Sequence, residues 1–131
     1  MSVLIWVAFA LVLVIYLARI PVIQAQKKLG GYDYHNPRAQ QAKLEGLGQR
    51  ANAAHHNSFE ALQLYLAAFI ACVASGNTDV LMQQLAVFYL ICRVLFVLLY
   101  WLDKAYLRSA VWVLGCAAIL TMLVRSALAV A

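Results

Sequence analysis

The sequence predicts an all-α integral membrane protein: a single domain over residues 1–131 built as an up-down-up-down four-helix transmembrane bundle. Hydrophobic residues make up 66% of the chain and charged ones only 11%, a balance far from that of a soluble globular domain. The charges are also segregated. Four apolar segments, Val3–Ala18, Ala61–Ala74, Val80–Leu102 and Ala110–Ala131, hold only Arg93 and Arg125 between them. A span needs about 20 residues, so the first two segments must continue as helix into the polar sequence beside them.

The first helix is placed at about 2–28. Its apolar run lacks a basic start and a small-residue cleavage site, so it reads as a span rather than a signal peptide. Pro21 removes one ladder hydrogen bond and predicts a kink near one membrane face, and Gly30-Gly31 stop the helix. A polar loop covers about 29–49. Within it Asn36-Pro37 is a turn, with Asn36 able to cap a helix and Pro37 suited to its first turn. The second helix therefore runs over 37–75 and crosses the membrane over about 50–75, although Gly46 and Gly48 weaken its outer part. The third helix covers 78–102, capped by Asn77 or Thr78, with Asp79 favourable at the positive helix end. It closes at Trp101, an aromatic where interfaces prefer one. The fourth covers 108–129, opening at Arg108.

The net charge of +5 is no nucleic-acid signal here. Lys27, Lys28, Arg38, Lys43 and Arg50 lie between the first two helices, and Lys104 and Arg108 between the last two. The SGNTD turn has no basic residue. By the positive-inside rule both basic connections are cytoplasmic and both termini face outward, with Arg125 snorkelling to the outer interface. The compact loops point to a bacterial inner membrane. Cys72, Cys92 and Cys116 fall singly inside apolar helices and read as small buried hydrophobes. His55 and His56 have no second ligand at helical spacing, so no metal is expected. The chain offers neither the internal repeat nor the broken helices of a transporter.

The informative charges are those a bilayer disfavours. An ionisable side chain at a helix centre costs roughly 2.5–3.5 kcal/mol on insertion scales, so it tends to face a partner or ligand. If the second and third helices are antiparallel neighbours, Glu60 and Arg93 lie at similar depth and form a candidate buried ion pair. Arg50, Ala53, Asn57, Glu60 and Leu64 follow one another at intervals of three and four along one helix face. Arg93 and Tyr100, seven apart, form a second stripe, and Arg108-Ser109 open the fourth helix at the same membrane face. A guanidinium, an amide, a carboxylate, a phenol and a second guanidinium gathered there suit a small anionic, peptide-like ligand. Arginine binds carboxylates as a fork and stabilises a neighbouring thiolate. The plainer readings are a structural Glu60–Arg93 pair, an interfacial Arg108 and an interfacial Tyr100.

The ordered set Asn57-x-x-Glu60, with Arg50 seven residues before, Arg93 and Tyr100 after, and then Arg108-Ser109, resembles the MAPEG family over essentially the whole chain. These are the membrane-associated proteins of eicosanoid and glutathione metabolism. The resemblance implies a homotrimer that binds glutathione, as cosubstrate, between adjacent subunits and meets lipophilic small molecules from the membrane lipids. It implies that Arg50, Asn57 and Glu60 hold glutathione, that Arg93 braces them, and that Tyr100 and Ser109 line the pocket. Arg108 would be the catalytic thiolate stabiliser, and Arg19 a basic residue reaching the ligand. Ala53, Gln63 and Phe96 depart from the family pattern, which in several members has arginine, proline and tyrosine there. Losing a charge-assisted carboxylate contact at Ala53 removes roughly 1.5–3 kcal/mol. Glutathione transferase or peroxidase activity on lipophilic electrophiles is one expectation; a non-catalytic homologue that binds lipid or fatty acid is the other.

Overall fold

Residues 1–130 are described by a computed structural model. They form six helices: α1 (Ser2–Ala18), α2 (Ile20–Lys28), α3 (Pro37–Gln41), α4 (Gly46–Ala74), α5 (Val80–Trp101) and α6 (Ala105–Leu128). Four helices are long and apolar enough to cross a membrane: Ser2–Lys28, which comprises α1 and α2, and then α4, α5 and α6. The four-helix membrane bundle is thus as the sequence predicts.

The bend between α1 and α2 follows from Pro21. The Arg19 amide turns to Tyr16 O at 3.1 Å rather than to the carbonyl one residue earlier. That leaves Ile15 O free, and His55 Nδ1 on α4 donates to it at 2.8 Å. At the bend, that bond fastens α1 to α4. The α2 helix ends as expected at Gly30 (φ +97°), with Gly30 N bonding Lys27 O and Gly31 N bonding Gln26 O. Glycine enters that left-handed conformation without a Cβ clash.

The second helix differs from the sequence expectation. Pro37 opens only the short α3, with Asn36 at its N-cap making no side-chain cap bond, and the chain breaks before α4 begins at Gly46. The helix is interrupted at Glu45, which is extended, and at Gly46, which takes the left-handed conformation at φ +55°. Leu44, just before the break, is buried against Val22 and Ala51, with Ala25 and Trp101 around them. Gln40 ties the rest of the connection together. Its carbonyl accepts from Gln26 Nε2 at 3.0 Å and from Asp33 N at 3.1 Å, and its amide donates to Gly31 O.

Along α4, small residues predominate at the buried positions, with Tyr65 the large exception. The buried face of α4 carries Ala51, Ala54, Ser58, Ala61, Ala68 and Cys72, while Phe59, Leu66 and Ile70 are exposed. Helices in lipid gain little from hiding apolar surface and associate by close packing and hydrogen bonds, which favours small interfacial residues. Two tyrosines supply the bonds. Tyr65 Oη donates to Leu4 O at 2.7 Å and Tyr89 Oη to Ala61 O at 2.8 Å, their rings stacked 6.0 Å apart. These two fasten α1, α4 and α5, and Gly115 lets α6 close on Tyr89 and Cys92.

The far end is pinned by Asp79. It is itself the N-cap of α5, accepting from Met82 N at 2.9 Å, in place of the Asn77 or Thr78 cap expected from sequence. Its other carboxylate oxygen pairs with Arg125 Nη2 at 2.9 Å. Arg125 therefore has a specific partner rather than merely snorkelling.

The α2 and α4 helices approach closely at Gly48, where a Cβ would lie 2.5 Å from Ala25 Cβ. Gly48→Ala is expected to lower thermal stability in detergent by about 1–3 kcal/mol through overpacking, against the gain in helix propensity. Adding Ala25→Gly should recover most of the loss, because the pair then exchanges one methyl for another. Undiminished stability in the single variant would show that the two helices separate freely.

Candidate functional site

The α4 and α5 helices present their polar stripes to each other toward the end of the bundle that carries the basic connections. Arg93 is only 4% exposed, and a guanidinium at that depth must be held by fixed partners. Its Nη2 donates to Asn57 Oδ1 at 2.6 Å. The Asn57 amide in turn donates to Glu60 Oε2 at 2.7 Å. The expected direct Glu60–Arg93 ion pair is corrected by this geometry: Asn57 stands between the two charges. The reason is register. Arg93 is level with Asn57, and Tyr89 with Ala61, so Glu60 lies about one turn from the level at which it would meet Arg93 directly.

A cation–aromatic series continues from the relay. The Arg93 guanidinium lies 4.2 Å from the Phe96 ring centroid, Phe96 meets Tyr100 edge-to-face at 5.4 Å, and the Arg108 guanidinium lies 4.2 Å from the Tyr100 ring. Spacing explains the sequence of contacts: 93, 96 and 100 share one face of α5, and Arg108 sits in the first turn of α6, its amide bonding Lys104 O. Stacking on Tyr100 orients the Arg108 fork without using its N–H donors.

These residues wall an open groove of about 520 Å³ between α4, α5 and α6. Asn57 and Glu60 form one wall, Phe96 and Tyr100 the floor, and Arg108, Ser109 and Trp112 the other wall. A small cavity of about 60 Å³ continues beneath it, bounded by Arg93, Tyr89 and Cys116. Of the residues singled out from sequence, the structure brings together Asn57, Glu60, Tyr100, Arg108 and Ser109 at the groove and Arg93 just below. Ser109 commits its hydroxyl proton to Ala105 O at 3.1 Å, leaving its oxygen as an acceptor.

Two arginines are elsewhere. Arg50 Nη2 reaches Trp101 O at 3.4 Å and Nη1 lies 3.7 Å from Asp103 Oδ2. Asp103 takes the left-handed conformation, φ +57°, at the end of α5, where Lys104 N bonds Leu99 O and Asp103 N bonds Tyr100 O. Arg50 thus neutralises a helix C-terminus and fastens the α5–α6 connection to α4. Arg19 lies at the α1–α2 junction, away from the groove lining. Two further residues line the groove: His56, which the sequence reading weighs only as a metal ligand, and Trp112, which it does not single out. The signal was available, since His56 precedes Glu60 by four residues and Trp112 follows Arg108 by four.

The model of the MAPEG family matches residues 3–128. The chain belongs to the MAPEG family. No curated protein and no solved structure matches it. Family membership and four apolar spans make this MAPEG chain an integral membrane protein of the glutathione and eicosanoid metabolism family.

The relay generates a test. Asn57→Ala leaves the Arg93 guanidinium without its acceptor and is expected to cost about 1.5–3 kcal/mol in detergent unfolding. Combined with Arg93→Leu, the loss should be smaller than the sum by at least about 0.5 kcal/mol. Glu60→Gln should cost less than either, because Asn57 still accepts from Arg93. A direct ion pair would instead show its strongest coupling between Glu60 and Arg93.

Proposed function

We propose that this MAPEG protein binds glutathione, or a similar small thiol, in the groove between α4, α5 and α6 and uses its thiolate on lipophilic electrophiles. The observation that carries this reading is the Arg108 guanidinium held over Tyr100 on one wall, facing Asn57 and Glu60 on the other. Glu60 suits a ligand ammonium, Asn57 a peptide group, and Arg108 a sulfur anion. The groove is open on the side that neighbouring chains or lipid would cover, which fits a homotrimer whose subunits complete one another's sites. A role for Arg19 would require the groove of such a neighbour. With both basic connections in the cytoplasm of a bacterial inner membrane, the thiol enters from the cytoplasm and the apolar substrate from the bilayer.

In transfer, the thiol proton leaves to water as Arg108 stabilises the sulfur anion. The sulfur lone pair then forms a C–S bond to the electrophile, and the bonding pair departs with the leaving group. With a hydroperoxide, the thiolate attacks the outer peroxide oxygen to give a sulfenic acid, and the O–O pair leaves as alkoxide, which takes a proton from water; a second thiol then forms a disulfide with that sulfur and expels water. Tyr100 supports Arg108 from beneath, and the Arg93–Asn57–Glu60 relay keeps the opposite wall fixed.

Ala53 favours a second reading, a non-catalytic homologue that holds a lipid or fatty-acid carboxylate against Arg108. It lines the groove where other members place arginine, and Arg50, the nearest cation on the same helix, is engaged by Asp103.

Titrating glutathione while following thiolate absorbance separates the readings. The native protein is expected to generate thiolate, Arg108→Ala to lose most of it, and Ala53→Arg to tighten glutathione binding by about tenfold by restoring a fork-shaped carboxylate partner. Absence of any glutathione response in native and Ala53→Arg protein, with fatty acid still bound, would establish the second reading.

A further inference from the structure

The groove has an unbalanced charge inventory for the ligand proposed above. Glutathione carries two carboxylates and one ammonium besides its thiol. Glu60 meets the ammonium and Arg108 the sulfur. Arg93 sits below the groove with Nη2 on Asn57 at 2.6 Å, and Arg50 is turned to Asp103 and Trp101 O. Neither remaining arginine lines this groove. Ala53 offers only a methyl group.

One turn after Ala53, on the same wall, stands His56. Its side chain is exposed, and its neighbour His55 is turned the other way, donating to Ile15 O on α1. The adjacent histidines therefore divide their work: His55 fastens the bundle, and His56 presents its imidazole to the groove. Imidazolium donates from both ring nitrogens and bears a full charge, whereas neutral imidazole donates from one nitrogen only.

We infer that His56 is the groove's second cation, a carboxylate contact that stands in for the arginine missing at Ala53 and makes ligand binding depend on pH. The inference rests on the proposed function. The charged or titratable groups that share the groove with His56 are Glu60 on α4, Tyr100 on α5 and Arg108 on α6, with the His55 ring 5.8 Å away on the same helix. An imidazolium at His56 gives a carboxylate a charged partner with two donors, whereas the neutral ring gives one donor and no charge. Affinity for an anionic ligand therefore falls where that side chain gives up its proton, a dependence that a family member with a fixed arginine would lack.

The probe is S-methylglutathione, whose blocked sulfur removes thiol ionisation from the measurement. Calorimetry with the full-length protein in detergent at pH 6 and pH 8 is expected to give affinity about tenfold higher at the lower pH, the size of one charge-assisted contact. His56→Ala should bind weakly and equally at both values, and His56→Lys tightly at both. Because His56 is exposed, these variants are expected to keep the native melting temperature. If the native protein binds but His56→Ala shows the same affinity and pH dependence, the inference is overturned while the proposed function stands. If native, His56→Ala and His56→Lys proteins all fail to bind, both are overturned.

Discussion

A guanidinium buried in a membrane bundle constrains everything near it, and Arg93 is that group here. It cannot be left to lipid, and at 4% exposure it depends on partners within the bundle. Its Nη2 bond to Asn57 ties α5 to α4 at one register, while Asn57 turns its own amide to Glu60. The neighbouring face of α5 then presents Phe96 and Tyr100 in order, and Tyr100 carries Arg108 of α6. A polar contact that stabilises the bundle is thus also what aligns three helices around the groove. Placing a neutral amide between the charges leaves the Glu60 carboxylate exposed on the groove side, where a ligand can use it. A direct ion pair would have consumed it.

The same logic of backbone and side-chain bonding runs through the rest of the span. Tyr65 and Tyr89 donate to helix carbonyls, His55 to a carbonyl released near the Pro21 bend, and Arg50 to the end of α5. Each uses a carbonyl with spare acceptor capacity. Between these bonds the helices close on alanines, Gly48 and Gly115, because in an apolar medium close contact, rather than the removal of oily surface from water, holds helices together.

The arginines show how one residue type serves two ends. Arg50 is spent on structure, and its partner Asp103 takes a left-handed conformation that holds the turn into α6. Arg108 is supported by an aromatic face and retains all its donors for a ligand. That contrast, with Ala53 and His56 sharing the wall opposite, separates this chain from a member that would clamp a ligand carboxylate with a fixed charge.

Much of this was legible in the sequence. Charge-free segments of spanning length required four helices, basic residues marked one end of the bundle, and the Asn57–Glu60, Arg93–Tyr100 and Arg108–Ser109 spacings identified the face on which the groove forms. Helical periodicity alone relates residues on one helix, so it could place each stripe. It could not set the offset between helices, which is why Glu60 and Arg93 read as direct partners. Nor could it tell a ligand arginine from a capping one: Arg50 shares the stripe, and only the meeting of α4 with the end of α5 assigns it to Asp103. The buried tyrosines were hidden for a related reason. In a chain apolar on every face, hydrophobicity does not distinguish inside from outside, and only packing decides which tyrosine finds a carbonyl. Composition and local spacing determined the membrane fold and the chemistry available to it; the register between helices, a property of no single segment, decided which of those groups meet.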